Sequence, residues 1–208
     1  IEEIITIKHG GLLSLGFILV LIFSTNGIFA LIDAFNASIH VDETRSWLMR
    51  RAISVVLVII LSLLVTMGVS LITFTHRLMD FLVLKELIKV GWIYYLVAIG
   101  KWIAILAVFY FAYSFLYYLG PAKKSQYRFI SAGATLATAL SILITVVLGF
   151  YIDQFSTYNA LYGSIGALPI IMLMVFFIAL AIIIGFELNI GIVAARKVEL
   201  IETETPNN

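Results

Sequence analysis

Residues 168–186 read LPIIMLMVFFIALAIIIGF, an unbroken run without a single charge. A helix needs about 20 mostly apolar residues to cross a bilayer. Membrane β-strands are far shorter and alternate polar with apolar, which this run does not. It therefore predicts a membrane-spanning helix. Four more stretches repeat the pattern, so the predicted spans are Leu12–Ile32, Ala52–Phe74, Ile93–Tyr118, Ile130–Ile152 and Ser164–Ile192. The 208 residues are 62% hydrophobic and 12% charged, against about 45–50% and about 25% in a soluble domain. So little charge cannot cover a water-facing surface. The expected fold is all-α, a single polytopic transmembrane helical bundle over residues 1–208. It ends in a polar tail, 199–208, expected to fray.

Orientation follows from the loop cations. Arg45, Arg50, Arg51, Lys123, Lys124, Arg128, Arg196 and Lys197 fall on one side of the five spans. Lys8, Arg77, Lys85 and Lys89 fall on the other, and Lys101 lies inside the third span. The richer side is expected in the cytoplasm, with the C-terminus. The first span then starts outside without a signal peptide. An earlier span is expected before it, giving six in the complete protein. Between the second and third spans, Thr75–Gly91 mixes apolar and charged residues at spacings of three and four. That pattern fits an amphipathic helix at the outer interface, an outward extension of the third span, or a plain hairpin arm.

Ionisable groups inside spans are costly, so each is a functional candidate. Lys101 belongs to the outer half of the third span, where Asp153 is its expected partner or its head reaches water directly. Glu187 lies about five residues, roughly 7–8 Å, from the inner end of the fifth span. Asn189 follows it, and Asn26 in the first span falls at similar depth. Tyr113, Ser114, Thr135 and Thr138 fall there too, with Arg50 and Arg51 just below. Two readings of this layer stay open. One is a wet vestibule in which Glu187, Asn189, Asn26, Arg50 and Arg51 bind a solute or a proton. The other is hydrogen bonding that locks helices together. Ser62, Thr66, Ser70 and Thr73 mark one face of the second span and predict a packing seam. Ser131, Gly133, Ala134, Ala137 and Thr138 predict a close-packing face on the fourth span, and Ala181 and Gly185 form a small-xxx-small pair in the fifth. The Tyr and Trp residues near the ends of the third span fit interfacial belts.

Catalytic signatures are missing. There is no phosphate loop, no HExxH and no GxSxG elbow. No cysteine is present. His40, Asp42 and Glu43 suggest a solvated charged loop rather than a metal site. Neither an enzyme nor a cofactor is expected. With a net charge of +1, no basic surface points to nucleic acid. The expected partners are membrane lipids, and a homo-oligomer stays open.

Residues 155–192 read FSTYNALYGSIGALPIIMLMVFFIALAIIIGFELNIGI. This stretch resembles the signature of the YihY/BrkB family of bacterial inner-membrane proteins, once labelled ribonuclease BN. Tyr158, Asn159, Tyr162, Gly163, Ser164, Gly166 and Ala167 match its outer-loop motif. Gly185, Glu187, Leu188 and Asn189 match its G-x-ELN span end. Pro121 with the basic residues after it, and Ser131–Ala134, are similar to the family's entry to the next span, with Ala132 where proline is common. Phe23–Asn36 with Arg50 and Arg51 is similar to its second span and basic exit. The resemblance implies six spans, a bacterial inner-membrane location, and a role as a transporter or an envelope factor.

Overall fold

The computed structural model describes residues 10–40, 43–84, 92–122, 128–154 and 167–204. They form five helices: α1 (Gly10–Ser38), α2 (Trp47–Leu84), α3 (Trp92–Leu119), α4 (Ala132–Gln154) and α5 (Ala167–Glu204). The described residues contain no strand. Each helix includes a stretch long and apolar enough to cross a membrane. In hydrocarbon every backbone N–H and C=O needs an internal partner, and a helix supplies them all. Several side-chain hydroxyls are absorbed the same way. Thr25, Ser54, Thr73 and Thr145 each donate to the carbonyl four residues back.

Local chemistry sets the helix ends. The Ser46 hydroxyl accepts from the Met49 N–H and caps α2. At the end of α3, Gly120 donates back to Leu116 O, and Pro121 follows, where the helix cannot continue. Beyond α1, His40 takes a left-handed conformation with φ 50°. A side chain there costs about 1–2 kcal/mol. Replacing His40 with glycine is therefore expected to raise the melting temperature slightly, by about 0.5–1 kcal/mol of stability after the chain-entropy cost of glycine. Thermal unfolding in a fixed detergent checks this.

α2 and α5 are each 38 residues long, roughly 57 Å at ~1.5 Å per residue. That exceeds the ~30 Å hydrocarbon core. The amphipathic stretch after the second span continues α2 as far as Leu84, and its remainder, 85–91, lies outside the described residues. The polar tail expected to fray is helical through Glu204.

Neighbouring helices pack in order around the bundle, and α5 returns to touch α1. The α4–α5 interface is the largest. Nearly all buried side chains gather at the end where Arg45, Arg50, Arg51, Arg128 and Arg196 lie, here called the basic end. Ile32 and Phe35, Leu57, Tyr113 and Tyr117, Ala134 and Ala137, and Phe186 form one cluster. Its centre is aromatic: the Phe35 ring lies 4.3 Å from that of Phe186 and 5.7 Å from that of Tyr117. Toward the other end the apolar side chains of α1, α2, α3 and α5 are largely exposed, as a lipid-facing surface requires. The seam expected from Ser62, Thr66, Ser70 and Thr73 does not form. These residues are exposed, and the hydroxyls of Ser62, Thr66 and Thr73 bond to their own helix instead.

Candidate functional site

The close-packing face predicted on α4 and the small-residue pair predicted on α5 meet where the two helices cross. A Cβ on Gly185 would stand 2.6 Å from Gly133 O and 2.9 Å from the Ala137 Cβ. Only glycine leaves room for that approach. Around the crossing the polar groups are spent on one another. Asn189 Oδ1 accepts from the Gly133 N–H at 2.8 Å, and its Nδ2 donates to Ser131 Oγ at 3.1 Å. Ser131 Oγ also accepts from the Ala134 N–H, so α4 is capped both by its own serine and by α5. Tyr117 donates to Ile182 O at 2.7 Å, and Tyr113 bonds Ser141 at 2.6 Å.

A second cluster ties α1, α2 and the exit of α3 together. Its hub is Glu43. Arg45 grips that carboxylate with Nε and Nη2, both at 2.7 Å, and with its backbone N–H at 3.0 Å. Asn36 donates to it at 2.6 Å, and Arg50 Nε lies 3.5 Å away. The same Arg45 donates to Gly120 O, and Asn36 Oδ1 accepts from the Ala122 N–H. The Arg45 hydrogen bonds hold the Glu43 carboxyl down at about 2, with the bond from Asn36 adding to them, against the pull of burial. Arg50 also pairs with Asp33 and lies 4.0 Å over the Phe29 ring. Arg51 donates to Asn26 at 2.6 Å.

Two cavities flank the start of α4. One, of about 170 Å³, opens between α4 and α5 at the basic end, lined by Arg128, Ser131, Asn189, Ile192, Val193 and Arg196. The other, of about 440 Å³, lies between α3 and α4 and is almost wholly apolar, with Leu106, Tyr110, Phe111, Thr138, Ala139 and Ile142 on its walls. Tyr110 joins them, since its hydroxyl accepts from the Ser131 N–H.

The predicted layer residues are thus placed in separate settings. Asn189 is buried at the α4–α5 crossing and reaches the smaller cavity. Arg51 and Asn26 form a pair, and Arg50 joins the Glu43 cluster. Glu187 lies on an exposed face of α5 with Leu180 and Ile184. Lys101 is half-buried, its Nζ 5.7 Å from the Trp102 ring. Asp153 falls in the last turn of α4, and its side chain lies outside the described residues, as do Tyr158, Asn159, Tyr162 and Gly163. Among the described residues no three of His, Cys, Asp or Glu gather to hold a metal. Sequence reasoning missed Glu43, Arg45 and Asn36 as a cluster. Three acids, Asp33, Asp42 and Glu43, ahead of the basic exit were the available signal.

Five apolar helices joined through a polar basic end define a polytopic α-helical membrane protein. The chain belongs to the Virulence factor BrkB family, whose profile matches residues 1–206. It is 31% identical over 186 residues to YfkH of Bacillus subtilis (strain 168), a protein named as ribonuclease-like. That alignment covers 88% of this chain and 66% of YfkH. A UPF0761 membrane protein of Vibrio campbellii is 36% identical over 89 residues, covering 43% of this chain and 28% of the relative. One from Xanthomonas campestris is 29% identical over 104 residues, or 47% of this chain and 24% of the relative. The chain therefore spans less than two thirds of these relatives' length. No solved structure matches.

Proposed function

We propose that the protein carries an amphiphilic, lipid-like solute across the inner membrane of a bacterium, with the basic end in the cytoplasm. The observation that carries this reading is the apolar cavity of about 440 Å³ between α3 and α4. A groove of that size beside exposed apolar helix faces suits an acyl chain better than a sugar or an ion, since its walls offer few hydrogen-bond partners. The second cavity sits around the start of α4 with arginines and amide groups. One solute could keep its tail in the first and its polar part toward the second. Asn189 belongs to that polar wall. Arg50, Arg51 and Asn26 brace the cytoplasmic end, and Glu187, which lines neither cavity, is the exposed carboxylate available to a proton.

A second reading, a non-transporting envelope scaffold, is favoured by the filled aromatic centre of Phe35, Tyr117 and Phe186. One experiment separates the two. Ala139 is exposed on the wall of the larger cavity, so Ala139→Trp fills the groove without entering the core. Movement of a fluorescent phospholipid is followed in proteoliposomes made with the full-length protein. Carriage predicts a fall of about tenfold or more, the scale on which a misplaced contact costs activity. Glu187→Gln is run beside it to test the carboxylate. Wild-type protein that moves no lipid, or an Ala139→Trp protein as active as wild type, leaves the scaffold.

A further inference from the structure

We infer that the smaller cavity, between the start of α4 and the last third of α5, binds a phosphate-type anion, with Arg128 and Arg196 as its charged jaws. The arginines around α2 are already occupied. Arg45 and Arg50 face Glu43 and Asp33, and Arg51 holds Asn26. Arg128 and Arg196 differ. Both are exposed, both line one cavity of about 170 Å³, and neither has an ion pair among the described residues. Among the described residues no carboxylate lines that cavity. Two guanidinium groups facing one space repel each other until an anion enters. Their planar forks match phosphate oxygens.

The remaining lining fits the same ligand. In the first turn of α4 the Gly133 and Ala134 N–H groups are already taken by Asn189 and Ser131. Asn189 has spent one amide proton on Ser131 and its oxygen on Gly133. An amide carries two such protons, so one is left to give. Ser131 and Asn189 are held in place by these bonds, which makes the polar wall pre-formed. Ile130, Ile192 and Val193 add apolar surface to the lining. A phosphate ester, charged at one end and apolar beyond it, meets both kinds of surface.

This deepens the amphiphile reading by naming the solute's head group, and it rests on that reading only for a lipid source. The phosphate could come from a lipid head group or from solution. The test is a binding measurement, so it can fail while lipid movement stands, and the reverse. Full-length protein in phosphate-free non-ionic detergent is titrated calorimetrically with a short-chain phosphatidic acid and with inorganic phosphate. Wild type should bind at least one of them saturably. Arg128→Gln/Arg196→Gln should weaken that binding about tenfold or more, as loss of charge-assisted hydrogen bonds implies. Arg128→Lys/Arg196→Lys should retain an intermediate affinity. Lys197→Gln, the same charge loss outside the cavity, should stay within about twofold, since an exposed charge contributes little. Competition by inorganic phosphate for the lipid's site assigns a free-phosphate ligand, and lipid binding without competition assigns a head group. Either supports the site. Absence of saturable binding overturns it, as does equal weakening by the Lys197 and double-glutamine variants.

Discussion

Replacing Gly185 with alanine should destabilise the protein by about 3 kcal/mol or more, the upper range for overpacking a core together with a lost buried hydrogen bond. One methyl group is enough because of what it meets. The new Cβ would lie 2.6 Å from the Gly133 carbonyl oxygen, which is backbone of the facing helix and cannot rotate away. α4 and α5 must then move apart. Separation lengthens the Gly133–Asn189 bond, now 2.8 Å, and disturbs the Tyr117 hydroxyl, now 2.7 Å from Ile182 O. The loss is concentrated because this interface is the largest in the bundle. Gly149→Ala on the same α4 is the matched control. Its Cβ would meet nothing within 4 Å, so the change should be neutral or gain up to about 1 kcal/mol from helix propensity. Thermal unfolding of both variants in one detergent decides the matter. If Gly185→Ala and Gly149→Ala melt alike, the helices do not cross at this pair.

The contrast between these glycines bears on what a sequence can say about a membrane protein. Depth is legible, because each residue advances a helix by ~1.5 Å. Thus the five spans, the gathering of Arg45, Arg50, Arg51, Arg128 and Arg196 at one end, and the small-residue faces of α4 and α5 all follow from the string. Rotation is harder. These helices are apolar nearly all round, so no polar face fixes which side turns inward. Glu187 and Asn189 share a depth but sit two residues apart, or about 200° around the axis. One faces the exposed side and the other the crossing. The spacing of Gly185 and Asn189, four apart on one face, would have chosen between them. Ser62, Thr66 and Thr73 misled for the same reason. A hydroxyl in lipid can satisfy its own helix, so a row of them does not require a neighbour. The Glu43 cluster was hidden differently. It depends on how residues 43–46 lead into α2, on Arg45 meeting Gly120 and on Asn36 meeting Ala122, each more than seventy positions away. No local period encodes such a contact.

That cluster carries the other large expectation. Glu43→Gln should destabilise the basic end by about 1–3 kcal/mol at neutral pH, the cost of leaving a part-buried, hydrogen-bonded charge without its partner. Arg45 is the reason. Its side chain is only 12% exposed, and Nη1 already lacks a hydrogen-bond partner. Without the carboxylate, its charge faces only neutral acceptors, the Gly120 carbonyl and one amide oxygen. Asn36 would lose an acceptor as well, loosening the link from α1 to Ala122. Acid should reproduce the effect in the unmodified protein. The Glu43 carboxyl titrates at about 2 in the fold, against an ordinary value of 4.5. Between those values the unfolded chain binds the proton and the folded protein does not, so stability rises with pH across that window. Its contribution is complete above the ordinary value and disappears as pH falls through about 2. The wild-type melting temperature should therefore converge on that of Glu43→Gln as the pH is lowered from 5 toward 2. The double change Glu43→Gln/Arg45→Met should recover part of the loss, because no buried charge is then left alone. A gap between wild type and Glu43→Gln that stays constant down to pH 2 would mean the carboxylate does not hold α1, α2 and α3 together through its charge.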